Sequence, residues 1–167
     1  YDHAVEGYRM AQHPIFFDNH PVKKALYRKL NEMVDRRSAV ASYPIERVEV
    51  PFDDGKTISC LFHLLPDRRK APVVIYVPGM DQTKEAFPRV NHNVALARGF
   101  NVLSMDGPGQ GSSNTQKIRA DVFGKLQRLH LAYFDQNPAW ASGQVRPQPF
   151  SRNAVVAASR HRLLLVP

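Results

Sequence analysis

The chain has 167 residues, with 23 Lys+Arg against 15 Asp+Glu and a formal net charge of +8, which is enough for one domain with its own core. A single cysteine excludes an internal disulfide. No apolar run reaches the roughly 18 residues of a bilayer span, and no signal peptide is legible, so the sequence predicts a cytoplasmic protein. The basic charge is uneven: residues 1–113 hold 15 Lys+Arg and 13 Asp+Glu, whereas residues 114–167 hold 8 and 2. A nucleic-acid reader would set aromatic stacking platforms among its cations. Tyr133, Phe134 and Trp140 are not interleaved that way, so the balance argues against a nucleic-acid partner.

In chain order, Tyr8, Met10, Ile15, Phe16 and Phe17, broken by Pro14, suggest a short helix and a turn. His13 and His20 share metal-ligand spacing with nothing, and no metal is expected. Asn19 or His20 can precede a helix that opens on Pro21, where a missing N–H costs nothing. Val22, Ala25, Leu26, Leu30, Met33 and Val34 then recur at three and four, which predicts an amphipathic helix to about Arg37. Lys23, Lys24, Arg28 and Lys29 line its other side, diluted by Glu32 and Asp35, as on a solvated face. Val48, Val50 and Phe52 alternate with polar residues, as do Ile58, Cys60, Phe62 and Leu64; Asp53-Asp54-Gly55-Lys56 between them signals a hairpin. Pro51 places the first strand at an edge. Cys60 shares a face with Phe62 and reads as a small core residue. His63 lies on the opposite face with no evident partner.

Val73–Val77 and Phe100–Met105 are short, apolar and rich in β-branched residues, as buried parallel strands are. Between them, Phe87, Val90, Val94 and Ala97 predict one helix over Glu85–Arg98, closed by Gly99. This βαβ unit opens at the strand C-termini onto two glycine-bearing turns, where open α/β sheets bind ligands. Asp106-Gly107-Pro108-Gly109-Gln110-Gly111 is not a dinucleotide loop, because Gly-x-Gly-x-x-Gly from Gly107 would need glycine where Ser112 stands. No cofactor is expected. Asp106, Gly107, Gly109 and Gly111 read first as a structural loop, the carboxylate accepting from the turn's own N–H groups, with direct ligand contact as the other reading. A further helix is predicted over about 117–134, and Leu163–Val166 as one more strand.

Pro78-Gly79-Met80-Asp81 after the first parallel strand, with Asp106-Gly107-Pro108-Gly109-Gln110-Gly111-Ser112 after the second, resembles the α/β-hydrolase superfamily. The likeness is to the branch containing 2,6-dihydroxypseudooxynicotine hydrolase and the fermentation-respiration switch protein. There a Gly-x-(Asp/Glu)-x-x-Lys-Glu turn follows the strand, and Gly79, Asp81, Lys84 and Glu85 stand at those positions. The likeness runs over about residues 45–116, extends more weakly over 8–44 and ends there. It implies an α/β fold: an incomplete α/β-hydrolase sheet, made of an antiparallel hairpin and then a parallel βαβ unit. Residues 1–44 would form an N-terminal helical segment, 45–135 a truncated core and 136–167 an irregular or disordered tail.

The resemblance implies that Gly79 turns the chain so that the Met80 N–H becomes one donor of an oxyanion hole; an ordinary strand-to-helix turn is the alternative. Asp81 could orient water or a substrate hydroxyl, or simply cap the following helix. Acyl transfer on this fold also needs Gly-x-Ser-x-Gly, then an acid and a histidine. None of the serines sits in that frame. The expectation is therefore the N-terminal fragment of a serine hydrolase acting on a small-molecule ester or ketone, inactive alone, from a truncated or frame-shifted gene. The competing expectation is a non-catalytic interaction domain that self-associates through its open sheet edge.

Overall fold

The computed structural model describes residues 1–17, 20–52, 55–79, 82–107, 109–113, 155–159 and 162–166. Two helices come first, α1 (Asp2–Gln12) and α2 (Pro21–Ala39). Strands β1 (Ile45–Pro51), β2 (Thr57–His63) and β3 (Val73–Tyr76) follow, then the short α3 (Val94–Ala97), β4 (Asn101–Met105), β5 (Val155–Ser159) and β6 (Arg162–Val166). They form one sheet in the order β1-β2-β4-β3-β5-β6.

The expected hairpin is β1 on β2, antiparallel, with Val50 opposite Ile58, and β1 is the outer strand that Pro51 predicts. Strand β2 also pairs antiparallel with β4. The parallel pair is β3 with β4, Val73 beside Asn101 and Tyr76 beside Ser104. The other edge of β3 carries β5, antiparallel, so the C-terminal end of β5 lies at the N-terminal end of β3, with Ala158 opposite Val73. Strand β6 covers the expected Leu163–Val166 and pairs with β5, so the tail predicted as irregular contributes a hairpin. The predicted helix over 117–134 lies outside the described residues.

Helix α2 opens as the sequence suggests. Pro21 stands in its first turn, and His20 caps it, accepting from Val22 N–H through Nδ1 at 3.3 Å. Leu30 and Val34 of α2 pack with Val5 of α1 against Leu61 of β2. That helical layer explains why β2 is buried on both faces from Ile58 to His63, where strand alternation alone suggested one polar face. Among the described residues no helix is long and apolar enough to cross a membrane.

The single helix expected over Glu85–Arg98 does not form. The segment breaks into 3₁₀ turns at Lys84–Ala86 and Val90–His92 before α3. Pro88 brings no N–H and biases Phe87 away from helical backbone, and Phe87 is extended at φ −154°. Asn93 then caps α3 through its side chain, which accepts from Leu96 N–H. Of the expected apolar stripe Val90 is buried, whereas Phe87 and Val94 are exposed.

Candidate active site at the strand ends

Two loops leave the C-terminal ends of β3 and β4, and the side chains of the second hold the first. Gln110 donates from Nε2 to the Gly79 carbonyl at 2.6 Å, while its Oε1 accepts from Gly107 N–H at 2.8 Å. The turn after β3 is closed by Gln82 N–H donating to the same Gly79 carbonyl. A Cβ at Gly107 would stand 2.6 Å from Gln110 Oε1, so a larger residue there would displace the Gln110 amide.

Asp106 is fully buried at the end of β4. Its Oδ1 accepts from Lys84 N–H at 2.8 Å, and its Oδ2 accepts from Lys84 Nζ at 2.7 Å and Ser112 N–H at 3.1 Å. These bonds tie the loop of Asp106 to the turn after β3. Ser104 Oγ adds a bond to the Lys84 carbonyl at 2.7 Å. Gly111 has φ +46°, and a Cβ there would collide with Asp106 Oδ2.

Lys84 is the centre of the network, with no exposed surface. Besides Asp106, its ammonium reaches Glu85 Oε1 at 2.9 Å, Tyr27 Oη at 2.8 Å and Ser112 Oγ at 3.3 Å. Burial works against its charge, but the Glu85 and Asp106 carboxylates hold its pKa well above the ordinary value. Burial raises Asp106 to about 6, Lys84 pulling down and Glu85 pushing up. Burial also opposes ionisation of Glu85, where the Lys84 charge prevails and lowers the pKa. Tyr27 comes from α2 and donates to Glu85 Oε1 at 3.1 Å; burial and the two carboxylates raise its pKa. One hydroxyl therefore bolts the N-terminal helices to the core.

A second buried cluster lies under α2. His63 accepts no solvent and meets Tyr43 Oη at 3.2 Å through Nδ1, while its Nε2 has no partner. Burial and the nearby Arg37 charge push its pKa down to about 3. The partner missing from the sequence reading was Tyr43, twenty positions away.

Above the network, between α1, α2 and the two loops, lies a cavity of about 700 Å³. Its floor includes Tyr27, Thr83, Gly109, Gly111 and Ser112. Of the expected site residues, Gly109 and Gly111 line this cavity, Gly79, Asp106 and Gly107 belong to the hydrogen-bonded loops beside it, and Met80 and Asp81 lie outside the described residues. Tyr27, Gln110 and the pairing of Lys84 with Asp106 were not foreseen as parts of one network. The adjacent Lys84-Glu85 was the available signal, since a lysine and a glutamate at the start of a buried segment must find partners. Among the described residues no group of three His, Cys, Asp or Glu could hold a metal ion.

No family model matches the chain. It is similar to the hydrolase LUC6 of a Fusarium species, 33% identical over 104 residues, covering 52% of this chain and 25% of that protein. It is similar to the alpha/beta hydrolase xenA of Xenoacremonium sinensis, 30% identical, covering 52% and 20%. It is also similar to the 20-hydroxy-prefusarin hydrolase FUS2 of Gibberella moniliformis, 39% identical over 71 residues, covering 40% and 17%. The chain thus spans about a quarter or less of the length of these relatives. Among solved structures, the crystal structure of the 2,6-dihydroxy-pseudo-oxynicotine hydrolase matches with a TM-score of 0.62 at 20% identity, covering 84% of this chain and 42% of that one. Hairpin and parallel pair together make this chain an incomplete α/β-hydrolase fold, similar to that of 2,6-dihydroxy-pseudo-oxynicotine hydrolase.

Proposed function

We propose that the chain is the N-terminal part of a serine α/β hydrolase, which in its intact form cleaves an ester or a carbon–carbon bond of a small molecule. In this reading the turn after Gly79 offers the Met80 N–H to a developing oxyanion, with Asp81 beside it, and the network below keeps that turn in place. Such preorganised donors are worth a few kcal/mol of barrier. The observation that carries the reading is the Gln110 bridge, which fixes the Gly79 carbonyl at 2.6 Å and so holds the turn without help from a ligand.

The chain alone is proposed to be inactive. It has no Gly-x-Ser-x-Gly, and the strand beside β3 runs antiparallel, so its C-terminal end is remote from the cavity. A fluorophosphonate probe with site mapping by mass spectrometry, run beside an aryl-ester assay, tests this. No serine is expected to be labelled and no ester to turn over. A labelled serine together with esterolysis would overturn the claim of inactivity.

A further inference from the structure

The charged side chains among the described residues lining the cavity are basic. Its α2 wall carries Lys23, Lys24 and Arg28, and none of these three side chains has a hydrogen-bond or ion-pair partner among the described residues. Arg9 of α1 also lines it, its guanidinium bonded to Glu6. No aspartate or glutamate stands among the described lining residues. Lys23 and Lys24 occupy the start of α2, whose first turn holds no acid. Unpaired N–H groups make that end of a helix partly positive, so cations there are unfavourable as well as mutually repulsive. An anion in the cavity relieves both costs.

An apolar surface adjoins the cations. Ile15 and Phe16 line the same cavity, and Phe16 is 87% exposed. A volume of about 700 Å³ suits a small organic molecule. The position, at the C-terminal ends of parallel strands, is where sheets of this class take ligands.

We propose that this cavity binds an organic anion, its carboxylate or phosphate head on Lys23, Lys24 and Arg28 and its apolar body on Ile15 and Phe16. The inference concerns binding alone, so it stands or falls apart from any hydrolytic reaction. Isothermal titration of the full chain with phenylbutyrate, phenyl phosphate and the neutral phenylbutyramide tests it. Both anions bind, and the amide binds about tenfold more weakly, the loss expected for one charge-assisted hydrogen bond. Added salt weakens the anions and leaves the amide unchanged. Combined Lys23→Gln, Lys24→Gln and Arg28→Gln abolishes the preference, whereas Lys23→Arg with Lys24→Arg keeps it, with helicity by circular dichroism unchanged in both. Absence of binding, equal binding of amide and anion, or a preference that survives the triple replacement overturns the proposal. Should the triple variant not fold, the salt series on the unaltered chain decides, and salt-independent anion binding is the overturning result.

Discussion

A carbonless side chain and a buried ammonium bear most of the geometry at the strand ends. Gly111→Ala forces φ +46° on an L residue and drives a methyl into Asp106 Oδ2 and Tyr27 Oη. The expected cost is about 2 kcal/mol or more. Gly55→Ala, at φ +72° with open space around it, carries only the backbone term of about 1 kcal/mol. Urea unfolding of the two variants should separate clash from conformation. Lys84→Met leaves two carboxylates, Glu85 and Asp106, buried without their cation. Removing one partner of a buried pair costs about 3–5 kcal/mol, and a midpoint close to that of the unaltered chain would contradict the network described.

At the scale of elements, the joint between the N-terminal helices and the sheet is part apolar and part polar. Leu30→Ala empties the α2 side of the contact with Leu61 and should cost about 2–5 kcal/mol. Tyr27→Phe keeps the ring but removes the hydroxyl that meets Lys84, Glu85 and Asp106. About 1–3 kcal/mol is expected, since polar partners stay buried without it. Hydrogen exchange should then quicken in α2 more than in β2 or β4; uniform acceleration would mean that the hydroxyl is not a local joint. The same elements show what sequence pattern can reveal. Periodicity located α2, the hairpin and both parallel strands, because each buries a repeating apolar set. It failed over Glu85–Arg98, where an apolar spacing of three and four overlies Pro88 and a capping Asn93, and backbone chemistry prevails over side-chain spacing. It also missed Tyr27 and Tyr43, whose partners are remote in sequence and leave no local mark.

At the scale of the whole molecule, two buried groups act in opposite senses as the pH falls from neutral, before the lowered pKa of Glu85 withdraws stability at lower pH. His63 has its pKa lowered from 6.5 to about 3 by burial and by Arg37. The unfolded chain takes up that proton near 6.5 and the folded chain does not, so stability falls as pH drops through this window, by up to about 1.4 kcal/mol per unit. Asp106, raised from 3.8 to about 6, is protonated first in the folded state, so it adds stability as pH falls between those values. The unaltered chain should show a shallow slope there, and His63→Gln should leave stability rising toward acid; chemical unfolding from neutral pH down to about 4 reads the sign. The antiparallel pairing of β5 on β3 bears on any attempt to rebuild an enzyme from pieces. On the function proposed above, a separately supplied carboxyl-terminal fragment that pairs with β3 would meet the lane already occupied by β5, so reconstitution becomes a competition that the tethered hairpin begins with an advantage. Cutting the chain before Val155 should lift that blockade, and mixing assays should favour the shortened polypeptide.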